Sequence, residues 1–321
     1  MTESKYQLIK DNTTGWKAFC DRHQDVPIFF QDIWLEAVCQ QWTVHTVIDF
    51  KNEIVGAIIF KISTKYGLEF IINPQLTPYH GLWLREASYF EEKNKITVHK
   101  EITSLLIASL PSLIYTNLRL HPTIVDTQIF KWSGFDAKVR YTYQLSITKE
   151  DLWTKLDQKI RNSINKAQAD LKFEIYDDIG LHYEIVQQTF VRAKIKHPVD
   201  RGTYVKIYQN LKPQSKAKLL YIKDLHNKVL ASLLLICDAK MAYFISHGTI
   251  LNAHRGATSF LLWNAILYAK DKNLSVDFEG SDLERIEYFY RKFGGELVPY
   301  YQIVKTKNMF WKMALTLLNK I

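Results

Sequence analysis

Residues 242–303 read AYFISHGTILNAHRGATSFLLWNAILYAKDKNLSVDFEGSDLERIEYFYRKFGGELVPYYQI. Ala242 to His247 is aromatic and β-branched, which suits a strand. His254-Arg255-Gly256-Ala257-Thr258 then opens a helix, because Phe260, Leu261, Ala265, Ile266 and Ala269 recur at helical spacing. Leu274 to Phe278 is a short apolar run and reads as a second strand. Asp282 to Lys292 reads as a helix with Asp277 or Ser281 as its cap and Gly294-Gly295 beyond its end. Leu297 to Ile303 is a third strand. An Arg-Gly loop at a helix start presents unpaired backbone N–H groups and the positive end of the helix dipole, a setting for phosphate. An ordinary strand-to-helix turn uses the same residue types.

This order of elements resembles the catalytic half of the GNAT acyltransferase superfamily. The resemblance implies a loop that holds a pyrophosphate and a next strand that splays away from the first, with a pantetheine arm in the splay. It also implies a tyrosine in the following helix that protonates the departing thiolate, within a pattern like Y-x-x-x-G-F/G. Tyr290-Arg291-Lys292-Phe293-Gly294-Gly295 matches that pattern. SVDFEGSDLERIEYFYRKFGG, with HRGATSFLLW before it, looks like the FemABX-like branch, whose members carry two GNAT units in one chain. So does Arg161-Asn162-Ser163-Ile164-Asn165-Lys166-Ala167, which matches that branch's R-x-x-I-x-K-A, together with the segment containing Arg140, Tyr141 and Tyr143.

At 321 residues and 47% hydrophobic, the chain has room for two domains with real cores. No apolar run reaches the ~18 residues of a membrane span, and the first residues lack an apolar signal core, so a cytoplasmic protein is expected. Cys20, Cys39 and Cys237 are scattered, which argues against a disulfide framework and a zinc site. The net charge of +9 favours anionic partners such as nucleotide cofactors, tRNA, lipid heads or acidic glycans, without choosing among them. Walker, Rossmann, H-E-x-x-H and serine-triad patterns do not occur.

The first half echoes the second at a shift of about 160 residues. Leu118 falls on Phe278, Phe130 on Tyr290, Gly134 on Gly294 and Tyr141 on Tyr301. Lys95 falls on Arg255 and Ile96 on Gly256, so the first half lacks the loop glycine, and Phe130 lacks a hydroxyl. The expected fold class is α/β (α+β), two GNAT-like units in tandem, each a mixed, largely antiparallel sheet flanked by helices. The expected boundaries are 1–147 for a unit that has lost its cofactor loop, 148–304 for the catalytic unit and 305–321 for a helix that packs on either. That last helix, with Phe310, Trp311 and Leu315, also suits a membrane surface. Thr148 and Asp151 form a capping-box signature at the start of the second unit.

Direct acyl transfer needs two substrates held in line, donors for an oxyanion and two managed protons. Tyr290 is the candidate acid, since an unperturbed phenol near 10 is protonated at neutral pH; a tyrosine packed on the last strand is the structural alternative. Glu279 ends its strand where an amine would arrive, with strand alternation placing it on one face with Asp277. His247 is the other candidate base, or a satisfied buried histidine. The resemblance places Arg255, Gly256, Ala257, Thr258 and Ser259 at the cofactor pyrophosphate, with acyl-CoA or acetyl-CoA as co-substrate and no metal. Arg161, Tyr141, His197 and Arg201 are the candidate substrate contacts, the last two on the 194–202 loop. The tRNA-dependent FemABX enzymes carry Phe-Lys where this chain has Phe289-Tyr290, so an acyl thioester is favoured over charged tRNA as donor. A small-molecule or cell-envelope precursor amine is the expected acceptor, without DNA. A degenerate GNAT pair acting as a binding module is the non-enzyme alternative.

Overall fold

The structure is a computed structural model that describes residues 5–90, 95–147, 151–280 and 283–317. It divides into two compact units, 1–140 with 299–321, and 141–298.

In the first unit, Gln7–Ile9 (β1) leads to helices Thr13–Arg22 (α1) and Asp32–Val38 (α2), then to the hairpin Thr43–Ile48 (β2) and Ile54–Phe60 (β3). Asn52 turns that hairpin at φ +60°, a conformation Asn tolerates better than most residues. A second hairpin, Ile62–Lys65 (β4) and Leu68–Ile71 (β5), precedes Leu82–Leu84 (β6), helix Lys95–Ala108 (α3), Tyr115–Arg119 (β7), the short helix Gln128–Trp132 (α4) and Asp136–Leu145 (β8). One sheet runs β1-β2-β3-β6. Ile58, Leu82, Ile102, Leu106, Leu118 and Phe130 share the buried core.

Two helices, Leu152–Lys155 (α5) and Gln158–Asp170 (α6), open the second unit's own repeat. Asp151 caps α5 through the Trp153 N–H; Thr148, its expected capping-box partner, lies outside the described residues. Leu171–Ile175 (β9), helices Ile179–Arg192 (α7) and Arg201–Leu211 (α8), and strands Ala217–Asp224 (β10), Val229–Cys237 (β11) and Met241–Thr249 (β12) follow. Helix Ala257–Asp271 (α9), Ser275–Asp277 (β13), helix Glu284–Tyr290 (α10), Glu296–Thr306 (β14) and helix Met309–Leu317 (α11) complete the chain. The sheet runs β9-β10-β11-β12-β13-β8, antiparallel except for the parallel β12–β13 pair. Ile160, Ile164 and Ala167 of α6 are buried in one core with Leu261, Ala265 and Ile266 of α9.

Apart from the β4–β5 hairpin of the first half and the α5 and α6 helices of the second, the two halves share one element order, strand, two helices, hairpin, strand, helix, strand, helix, strand. Gly134 and Gly294 end the two short helical segments at φ +81° and +79°, a conformation that glycine takes without penalty. The last strands are exchanged. Within the second unit β13 pairs with β8, Val276 opposite Leu145. Within the first unit β7 pairs with β14, Leu118 opposite Ile303. Residues 299–304, expected with the catalytic unit, therefore group with the first.

The C-terminal helix, expected to pack on one of the units, groups with the first; none of its described residues is fully buried, and Trp311, Ala314 and Leu315 are half-buried. Its Lys312 Nζ lies 2.8 Å from Asp136 Oδ2. All three cysteines are buried and outside any disulfide; burial pushes the Cys39 and Cys237 thiols up to about 11 and 12, which leaves both inert. Among the described residues no helix is long and apolar enough to cross a membrane.

Candidate functional site

The site starts from a strand pair that parts. β12 and β13 match for three residues, Met241 with Ser275, Ala242 with Val276 and Tyr243 with Asp277. Beyond that point β12 stays bonded to β11, while Phe278 donates its N–H to the Tyr143 carbonyl of β8. A bulge in β12 between Phe244 and Ser246 shifts its register against β11. The extra residue, Ile245, reverses the alternation that follows. Ser246 is thereby turned toward α7, and His247 toward the face that carries Phe244.

On that face Phe244 packs against Phe278, and Phe278 against Tyr290. Tyr290 Oη and His247 Nε2 are 2.8 Å apart. The buried phenol is pushed well above its ordinary pKa, first by desolvation and then by the charge of Glu279. Burial pulls His247 down to about 4. At neutral pH both groups are uncharged, so the contact is a neutral hydrogen bond whose direction follows the imidazole tautomer. Among the sequence candidates, Tyr290 and His247 are thus in direct contact, and Glu279 is close enough to act on Tyr290 electrostatically.

Glu279 does not continue the strand alternation expected of it. Its φ is +61°, a conformation unusual for a non-glycine residue, and Gly280 follows at +49°. A Cβ on Gly280 would lie 2.1 Å from the Tyr141 carbonyl oxygen, so glycine is obligatory there. Asp277 holds this turn. It is fully buried and accepts from Thr142 Oγ1 at 2.6 Å, Gln144 Nε2 at 3.0 Å and the Glu279 N–H at 2.7 Å. Of the two expected helix caps, Ser281 lies outside the described residues and Asp277 holds the Glu279 N–H.

The loop before α9, the expected cofactor loop, has a different reason for its glycine than expected. Gly256 has φ −88°, which any residue adopts. A Cβ there would stand 2.7 Å from the Ser163 carbonyl oxygen and 2.8 Å from the Ala167 methyl. The glycine lets α6 approach the start of α9. No side chain caps that helix start. The Ala257 N–H is bonded to the His254 carbonyl, leaving Thr258 and Ser259 in the first turn, with Arg255 exposed beside them. An uncapped 15-residue helix with a cation at its N-terminus fits an anionic group.

The four candidate substrate residues have separate settings. Arg161 donates to the Trp153 and Thr154 carbonyls at 3.5 and 3.3 Å and to Gln158 Oε1 at 2.7 Å, tying α5 to α6. Tyr141 is half exposed, and its carbonyl lines the Gly280 turn. Arg201 is exposed and lies over Gly180 at the start of α7. His197 packs among Tyr183, Phe190 and Tyr204, and its Nδ1 accepts from the Val199 N–H at 3.0 Å.

A polar network that sequence reasoning missed joins this side. His182, fully buried in α7, contacts Ser232 Oγ at 3.0 Å and Ser246 Oγ at 2.9 Å. Tyr204 also bonds Ser246, and the charge of Glu279 helps to raise its pKa. The available signal was a histidine in register with Ile185 and Val186 on the buried face of a helix.

These histidines set an acid limit on stability. Burial pulls His182 and His80 to about 3 from an ordinary 6.5. The unfolded chain therefore binds more protons than the native one between those values. Stability is complete above about pH 6.5 and is lost as pH falls, by up to about 1.4 kcal/mol per pH unit for each of these two groups. Thermal melts from pH 7.5 to 4.5 test this, and His182→Gln is expected to flatten the slope. A melting temperature independent of pH below 6.5 would contradict it.

Two units of one element order, a parallel pair that parts after three residues and a helix opening in the intervening loop define the tandem-GNAT, FemABX-like fold, and the chain has it. It is similar to FemX at 13% identity, with 92% of this chain and 96% of that one covered at a TM-score of 0.67. It is also similar to the C-terminal domain of a putative lysylphosphatidylglycerol synthetase from Agrobacterium fabrum, at 15% identity, 93% and 95% coverage and a TM-score of 0.56. A tandem GNAT protein from the clavulanic acid biosynthesis pathway is 7% identical, with 94% and 99% covered and a TM-score of 0.53. No family model and no curated protein matches the chain. At these identities the likeness is one of fold.

Proposed function

We propose that the second unit transfers an acyl group from an acyl thioester, acyl-CoA in the first instance, to an amine. The observation that carries this reading is the Tyr290–His247 contact, which bridges β12 and α10 beyond the point where β12 and β13 part. Arg255 and the first turn of α9 would hold the pyrophosphate of the donor, which supplies the activated carbonyl.

The proton inventory closes with this chain's own groups. As the amine forms its C–N bond, it gives up a proton toward Glu279. As the C–S bond breaks, Tyr290 gives its proton to sulfur, and an Nε2–H tautomer of His247 would donate to the phenolate oxygen left behind. Desolvation keeps Tyr290 protonated through the neutral range, as an acid requires. His197 and Tyr204 would line the acceptor side.

A charged-tRNA donor is the second reading, favoured by the similarity to FemX. Against it, the cations that follow Tyr290 are engaged elsewhere. Arg291 lies 3.7 Å from Glu287, and Lys292 stands 3.7 Å over the Tyr288 ring. A thermal-shift screen separates the two. Acetyl-CoA and longer acyl-CoA thioesters are expected to raise the melting temperature in proportion to ligand excess, and charged tRNA is not. A shift with tRNA and none with any CoA species would overturn the thioester reading. Binding of CoA species without turnover would favour a degenerate binding module.

A further inference from the structure

The C-terminal helix α11 presents its apolar side to water. Met309, Phe310, Met313 and Leu317 are 69%, 69%, 62% and 83% exposed. At 100° per residue they fall within one arc of about 100°. Trp311, Ala314 and Leu315, on the other side, are half-buried. A helix at rest in water has the opposite polarity, so this stripe marks a surface that something covers.

Charge selects the occupant. From Leu297 to Ile321 the chain contains Lys305, Lys307, Lys312 and Lys320 and no acidic residue. Lys312 is paired with Asp136, and Lys305 with the Ser133 carbonyl, while Lys307 is exposed. A stable dimer needs about 20–30 residues on each side, which a helix of nine does not supply. A helix of this length is too short to span a bilayer and suits the plane of its interface, with apolar side chains among the acyl chains and lysines at the headgroups.

We propose that α11 docks the protein on an anionic phospholipid surface. The test is cosedimentation of the full chain with vesicles of phosphatidylcholine alone and of phosphatidylcholine with phosphatidylglycerol. The chain is expected to sediment with the anionic vesicles, less so as salt rises, and weakly with the neutral ones. Phe310→Glu with Met313→Glu is expected to reduce binding by about tenfold or more, with melting unchanged. Lys307→Glu is expected to weaken binding to anionic vesicles only. Absence of cosedimentation, or equal binding by the double variant, overturns the proposal. A wild-type dimer in lipid-free ultracentrifugation that the double variant abolishes assigns the face to a second copy instead. Neither readout involves acyl transfer, so failure here leaves the thioester reading intact.

Discussion

Tyr290→Phe is expected to lower kcat by about two to four orders of magnitude while leaving KM for the thioester nearly unchanged. In the proposed reaction the hydroxyl meets sulfur only as the C–S bond breaks, so its loss would raise the barrier without weakening ground-state binding. The ring keeps its place on Phe278, and the one described hydrogen bond lost is that to His247. Deletion of a single neutral bond costs about 1 kcal/mol, so the variant should fold normally. Steady-state kinetics with thiol release as the readout, beside a thermal melt, tests this. A variant within threefold of the wild type would remove Tyr290 as the acid. Because the phenol pKa is raised, the wild type is also expected to show no alkaline loss of activity below pH 10 through this group.

Asp277→Ala is expected to destabilise the second unit by about 3–5 kcal/mol, since it strips a buried carboxylate from its donors. Three groups lose their acceptor at once, Thr142 Oγ1, Gln144 Nε2 and the Glu279 N–H. The melting temperature should fall by roughly 10 °C for a unit of this size. Asp277→Asn retains an acceptor oxygen and should cost less. Turnover should fall even well below the melting point, because the left-handed Glu279 turn loses its anchor. A melting shift under 2 °C for the alanine variant would show that β8 and β13 are held by other means.

Much of the second unit was legible in order along the chain. Helical periodicity marked α9, the short apolar run marked β13, and Gly294 marked the end of the α10 segment. The faint echo at about 160 residues corresponds to equivalent elements, β7 with β13 and β8 with β14. Strand alternation failed at two candidate positions, each for a local backbone reason. The bulge at Ile245 turns His247 to the Tyr290 face, and the positive φ of Glu279 ends the strand geometry there. Neither event leaves a mark in hydrophobic pattern, because each depends on one residue's backbone angles.

Gly256 was legible as a required glycine, yet its reason was not. The local sequence suggests room for a phosphate, whereas the space is taken by the Ser163 carbonyl and Ala167 of α6. A loop of five residues carries no information about a helix more than eighty residues upstream. The same holds for His182, whose Ser232 and Ser246 partners come from two other strands.

The amino-acid sequence by itself determined the elements, their repeated order and the residue types at the parted strands, because periodicity, turn chemistry and capping act over a few neighbouring residues. The tertiary structure alone decided the exchange of last strands, with β8 completing the sheet of the second repeat and β14 pairing in the first. Strand pairing is a long-range choice among edges of similar chemistry. Its outcome rests on burial such as that of Val276, Leu145, Leu118 and Ile303, which no local pattern encodes.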